Sequence, residues 1–197
     1  MAGPNMFMLF MLLAWLAKSG ESASGNRNNF VRDACSVTTY RDLCIHSLAP
    51  FSKSARNSPG KWARAGVSVT IGEVKNVTQF LYKLKRRNLM RGRNRLALLD
   101  CIECFQETID ELHMSLGILR RLSAREFDRQ MDDLTTFVSA ALTYEDTCLD
   151  GFEGQKATQV DLLKKRVLKT TYLASNALAL INKLATTSLE SLALADP

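Results

Sequence analysis

Apolar residues recur along this chain in four long runs whose steps alternate between three and four. From about Lys61 to Asn88 the stripe is Ala63, Val67, Val74, Val77, Leu81 and Leu84, with Thr70 standing in the one gap. From about Asn94 to Leu122 it is Leu99, Ile102, Phe105, Ile109, Leu112, Leu116 and Leu119. From about Ala124 to Leu149 it is Phe127, Met131, Leu134, Val138 and Ala141. From about Thr158 to Thr186 it is Val160, Leu163, Val167, Thr170, Ala174, Ala177, Ile181 and Leu184. A stripe with a mean spacing of about 3.5 residues is the seam along which helices pack at a shallow crossing angle, so each run predicts one helix. No proline interrupts a run, and nothing alternates at period two long enough for a strand. Short links between the runs predict an all-α fold, an up-and-down four-helix bundle. Ser123 followed by Glu126 reads as a capping box opening the third long helix, and Gly151 and Gly154 as its end.

A different pattern opens the chain. Met6 to Ala17 reads MFMLFMLLAWLA, apolar throughout. Such a run is too short to span a bilayer, which takes about 20 apolar residues, and it fits the core of a secretory signal peptide. Residues 1–24 are therefore expected to be a leader, cut between Gly20 and Gly25. The remaining chain divides into a domain over residues 29–187 and a tail over residues 188–197. Within the domain, residues 29–57 form an N-terminal helical hairpin and residues 61–187 the bundle. The predicted product is secreted and extracellular, with no membrane contact once the leader is gone.

Export makes the five cysteines a disulfide framework with one thiol left over. Cys35 and Cys44 close a loop of about ten residues, stabilising the hairpin by about 3 kcal/mol in the loop-entropy account. The second bridge follows from helix heights. The second and third long helices turn back on each other near residues 122–124. At 1.5 Å per residue, Cys101 is level with Cys148 to within about 5 Å, whereas Cys104 is off by roughly 9 Å. A disulfide holds its Cα atoms roughly 4.4–6.8 Å apart, so Cys101 pairs with Cys148 and Cys104 stays a free thiol.

Other chemistry is thin. Cys101 and Cys104 form a C-x-x-C, yet zinc takes about four ligands and the only histidines, His46 and His113, have no partner at ligand spacing. No strand precedes the pair, as a thioredoxin-like site requires. No metal and no cofactor are expected. A seam of Val, Leu, Ile and Ala offers no converging nucleophile, base and orienting group, so no catalytic residue is assigned. The formal charge is +6, with Lys83, Lys85, Arg86, Arg87, Arg91, Arg93 and Arg95 crowding the first turn and Lys164, Lys165, Arg166 and Lys169 the fourth helix. Without interleaved aromatics at the turn, and with export expected, nucleic acid is excluded as the partner. Acidic residues gather on the second and third helices: Glu103, Glu107, Asp110 and Glu111, then Asp128, Asp132, Asp133, Glu145 and Asp146.

Four stretches carry a family resemblance. Cys35 to Cys44 fits C-x-x-T-x-Y-x-x-L-C. Asp100-Cys101-Ile102-Glu103 followed by Phe105 fits D-C-x-E-x-[YF]. Thr136 to Phe152 reads TFVSAALTYEDTCLDGF, and Ser175 to Leu180 reads SNALAL. Together these resemble the plant invertase and pectin methylesterase inhibitor family over nearly all of the mature chain. The resemblance implies bridges between the first and second and the third and fourth of four cysteines, with Cys104 an addition to that pattern. It also implies a proteinaceous inhibitor, not an enzyme, that forms a one-to-one complex with its target in the apoplast. The second to fourth bundle helices would lie across the target's cleft. The chain lacks the Pro-Lys-Phe tripeptide frequent among invertase inhibitors, so the implied target is a pectin methylesterase. The alternative is a cell-wall or vacuolar acid invertase.

On that reading the partner-binding residues are Glu103, Glu107, Asp110, Asp132, Thr143 and Tyr144, an acidic side offered to a basic enzyme. The inhibitor is expected to be a monomer, with weak additional contact to pectin through its basic residues. Asn76-Val77-Thr78 is a glycosylation sequon whose Asn76 lies off the core stripe.

Overall fold

Short helical segments lead into four long helices in the computed structural model, which describes residues 29–193. Helix α1 covers residues 29–34 and continues into a 3-10 turn, Cys35–Val37; α2 is Arg41–Leu48. A second 3-10 turn, Ala49–Phe51, and α3, Ser52–Ala55, bring the chain to the bundle. The long helices are α4, Pro59–Arg86; α5, Arg93–Arg120; α6, Phe127–Asp150; and α7, Thr158–Ala193. The described residues contain no strand. The expected leader, residues 1–24, lies outside them. The backbone of α7 runs to Ala193, past the boundary at 187 expected from the apolar stripe.

Local chemistry sets most of the helix ends. Ser58 caps α4, its Oγ accepting from the Lys61 N–H at 3.4 Å, and Pro59 supplies the fixed φ of a first helical position. Lys83, Lys85 and Arg86 in the last turn face the negative end of the helix dipole. Gly92, at φ +54, turns the chain into α5, a conformation that carries little cost only without a Cβ.

The α5–α6 turn is built differently from the capping box the sequence suggests. Ser123 makes no side-chain cap, and a 3-10 turn, Ala124–Glu126, precedes α6. The buried Gln130 clamps the turn instead. Its Oε1 accepts from the Ser123 N–H at 2.9 Å and its Nε2 donates to the Arg121 carbonyl at 3.2 Å. One carboxamide thus satisfies both a donor and an acceptor left over at helix ends. Glu126 turns outward to Arg129 at 3.3 Å.

The long helices pack as a ring, α4 against α5 and α7, and α6 against α5 and α7. The stripes of α4 and α7 are buried throughout, and Thr70 fills its gap by donating to the Gly66 carbonyl at 2.9 Å. Gly66 lets α4 and α7 close up: a Cβ there would lie 3.1 Å from Leu180 Cδ1. The buried arc of α5 is wider than its stripe. Leu99 and Ile109 are only half-buried, while Leu98, Cys101, Thr108 and Ser115 are buried. A helix wedged between two neighbours hides a broad face that a single seam underestimates.

The N-terminal hairpin lies on α4 and α7. Asn176 on α7 holds it with two bonds to one residue. Its Oδ1 accepts from the Tyr40 N–H at 3.1 Å and its Nδ2 donates to the Tyr40 carbonyl at 3.0 Å. The Tyr40 ring stacks on Tyr172 with centroids 3.9 Å apart. Asn176→Ala leaves two part-buried backbone groups unpaired, so it is expected to lower stability by about 1–3 kcal/mol. Urea unfolding measures this, and a change well under 1 kcal/mol would show that the hairpin is held by other contacts.

Candidate functional site

The two disulfides fix which surfaces are presented. Cys35 pairs with Cys44, and Cys101 with Cys148, whose Cα atoms are 4.4 Å apart. The second bridge fastens α5 to α6 near the α6 C-terminus. Cys104, one turn from Cys101, is half-buried and free; burial pushes its thiol above the usual range, with Asp100, Glu103 and Glu107 adding to the rise. A thiol so placed is a poor nucleophile at neutral pH.

The outer face of the α5–α6 pair is acidic. Glu103, Glu107 and Asp110 are exposed and spaced four and three apart, which puts them on one strip of α5 pointing away from the core. Asp132 and Thr143 are exposed on the corresponding strip of α6, about 16 Å apart along its axis. Tyr144 is half-buried beside them. Among the described residues, Glu103, Glu107, Asp110 and Asp132 take part in no ion pair, whereas Asp133 is paired with Arg129 at 3.1 Å. Crowding shows in Glu111: partial burial raises its carboxyl above the usual range, and the nearby charges of Glu107 and Asp110 raise it further. This face carries negative charge that the chain itself leaves unneutralised. Thr143 donates its hydroxyl to the Ser139 carbonyl at 3.0 Å, so its outward groups are the oxygen lone pairs and the methyl.

A shallow depression of about 610 Å³ adjoins this strip, lined among others by Asp110, His113, Met114 and Phe137. Met114 is 44% exposed. Neither Met114 nor Phe137 falls on a core stripe, and an apolar residue off the stripe is the sequence signal that points to it.

Glu145 does not belong to the acidic side on which its charge placed it. It is fully buried on the core face of α6, toward α7. Neither carboxyl oxygen has a hydrogen-bond donor. Thr170 and Thr171 lie alongside and pull its pKa down in part, yet their hydroxyl hydrogens go to the Val167 carbonyl, at 2.7 and 3.2 Å. Burial dominates and pushes the carboxyl up to about 8.

Lys83, Lys85 and Arg86 lie on α4 and Lys164, Lys165, Arg166 and Lys169 on α7, whereas Arg93 and Arg95 open α5 and Arg121 borders the depression beside Asp110. Asn76 is exposed on α4 next to the fully buried Val77. Among the described residues no group of His, Cys, Asp and Glu is placed to hold a metal, and no helix is long and apolar enough to cross a membrane.

Comparison with known proteins places the chain in a family. Residues 29–180 match the sequence pattern of the family described as plant invertase/pectin methylesterase inhibitor. Pectinesterase inhibitor 6 of Arabidopsis thaliana is 45% identical over 177 residues, covering 86% of this chain and 85% of that protein. Pectinesterase inhibitor 9 of the same plant is 34% identical over 194 residues, 92% of this chain and 94% of that protein. Among solved structures, a mutant form of a pectin methylesterase inhibitor from Arabidopsis superposes with a TM-score of 0.62 at 20% identity. That match covers 75% of this chain and 92% of the other, and it supports the helical fold.

Proposed function

Because this chain belongs to the plant invertase/pectin methylesterase inhibitor family, we propose that it inhibits a pectin methylesterase by covering the cleft in which that enzyme takes pectin. The reading rests on the unneutralised acidic face of α5 and α6, set in a bundle that two disulfides and a packed seam make stiff. A stiff surface loses little ordering entropy on docking, which removes one of the costs that offset its contacts. The chain performs no chemistry of its own in this role, and the complex is one to one. The interface centres on Glu103, Glu107, Asp110, Asp132, Thr143 and Tyr144. The acidic groups speed encounter with a basic enzyme and fix its register, while Tyr144 and the neighbouring Met114 and Phe137 supply apolar contact. The protein acts outside the cell after loss of residues 1–24, as a monomer, with a glycan on the exposed Asn76.

Titration of the oxidised chain against a pectin methylesterase and an acid invertase, side by side, tests this. Esterase activity is expected to fall to zero at one equivalent while invertase is untouched; the reverse pattern assigns the other target. Reversing Glu107 and Asp132 to Lys together is expected to weaken esterase inhibition roughly tenfold at low salt, with a smaller effect at high salt. Unchanged inhibition at both salts would remove the acidic face from the interface.

A further inference from the structure

The outer side of α4 and the adjoining edge of α7 carry a cluster of side chains outside the acidic face. A shallow depression of about 570 Å³ opens where α4 meets α7, lined by Gln79, Phe80, Tyr82, Lys83, Arg86 and Arg166. Gln79, Tyr82, Lys83 and Arg86 recur at helical spacing on the exposed side of α4. Arg166 reaches across from α7 and holds its guanidinium 4.6 Å from the centre of the half-buried Phe80 ring. That cation–π contact fixes the arginine in place while leaving its N–H fork free to bind an anion. Tyr82 is fixed too, its hydroxyl accepting from Gln106 Nε2 on α5 at 2.7 Å. Among the described residues, Lys83, Arg86 and Arg166 take part in no ion pair. Lys169, one turn beyond Arg166, is by contrast tied to Glu73 at 3.1 Å. Three cations thus line one depression without forming an internal ion pair, beside two aromatic side chains and one carboxamide.

We propose that this depression binds a polymer of uronic acid sugars, with de-esterified pectin as the ligand class. Each residue type matches one feature of such a chain. A uronate presents one carboxylate per ring, which Arg takes in a bidentate pair and Lys as a point charge. The apolar C–H face of a sugar ring packs against an aromatic side chain, and the ring hydroxyls bond an amide such as Gln79. Nucleic acid and anionic lipid share the charge but make poorer use of it. The depression is shallow, with no enclosed trough for acyl chains, and the phosphodiesters of a nucleic acid lie off its rings, whereas a uronate carries its carboxylate on the ring. Asn76 lies one turn before Phe80 on the same strip of α4, so a glycan there would border the depression. The choice of uronate over other polyanions rests on the proposed role beside a pectin-acting enzyme. The depression centres on α4, across the ring from α6, and touches α5 only through the Tyr82–Gln106 bond, so the polymer is expected to lie on a different side of the bundle from an esterase seated over α6. The inhibitor can then stay on de-esterified pectin, the esterase's product, while capping the enzyme that makes it.

The test compares the parent chain with Lys83→Gln/Arg86→Gln/Arg166→Gln and with a charge-matched control, Arg41→Gln/Lys53→Gln/Arg125→Gln, all exposed positions. Retention on immobilised polygalacturonate, on fully methyl-esterified pectin and on heparin is measured at low and moderate salt. Esterase complex formation is measured separately by calorimetry. The parent and the control are expected to bind polygalacturonate, and the site variant to bind roughly tenfold more weakly. Esterified pectin should bind weakly to all three, and esterase binding should be unchanged. Equal retention of the site variant and the control would overturn the proposal, since net charge alone would then account for binding. So would parent retention on heparin as strong as on polygalacturonate. Loss of esterase binding in the site variant would make the depression part of the inhibitory interface and overturn it as a separate site. Failure of the parent to bind any esterase, with polygalacturonate retention intact, would sink the inhibitory reading and leave this site standing.

Discussion

Glu145→Gln is expected to flatten the pH dependence of stability between about pH 4.5 and pH 8, where the parent loses up to about 5 kcal/mol as pH rises. The physical origin is the carboxyl buried between α6 and α7 with no donor to either oxygen. In the unfolded chain it titrates near 4.5, and in the fold near 8. Between those values the folded state keeps a proton that the unfolded state has released, so each step up in pH favours unfolding. Below about pH 4.5 both states are protonated and the loss disappears; above about 8 the folded carboxyl ionises as well and the loss levels off. Glutamine has the shape and polarity of the protonated acid and cannot ionise. Urea midpoints at pH 5 and pH 8 for parent and variant decide the matter. The variant should match the parent at pH 5 and exceed it clearly at pH 8. Parallel profiles would mean that water or a rearranged threonine hydroxyl solvates the carboxylate. Glu111, raised by partial burial and its acidic neighbours, acts in the same direction and should leave a weaker residual slope in the variant. A bundle with this response is steadier on the acid side.

Removing the α5–α6 bridge is the other large effect. Cys101→Ser/Cys148→Ser opens a loop of about 48 residues and is expected to cost about 4 kcal/mol in the loop-entropy account. Both side chains are buried, so two hydroxyls enter the core and the measured loss should not fall below that figure. The position of Cys104 gives a sharper version. In Cys101→Ser, the thiols of Cys104 and Cys148 remain, offset by about one helical turn along the axes. No substitute bridge is expected, so thiol titration should find two free groups per chain where the parent has one. A Cys104–Cys148 disulfide found by peptide mapping, with stability near that of the parent, would show that α5 can slide by a turn. The acidic face would then be less rigid than its proposed role requires.

These two cases show where reading the chain succeeds and where it stops. The alternation of three and four along α4 and α7 dictates which side is buried, because a helix has one period and a seam tolerates few slips; every stripe residue there is buried. Helix rise alone ranks Cys101 above Cys104 as the partner of Cys148, since a disulfide has little reach. Exposure of Glu103, Glu107 and Asp110 follows from the same period. What periodicity cannot supply is the neighbour across the seam. Glu145 reads as one more acid on a charged helix, and only the approach of α7 makes it a desolvated group. Gln130 gives no sign that it will clamp the α5–α6 turn, because its partners, Ser123 N and the Arg121 carbonyl, come within reach only after α6 folds back. Arg166 and Phe80 stand far apart in sequence, and it is the packing of α7 on α4 that brings them together and makes scattered basic residues a site. One-dimensional order fixes each helix's faces through a local rotation per residue. The pairing of faces is set by close packing among all four helices at once, and that exists only in the assembled bundle.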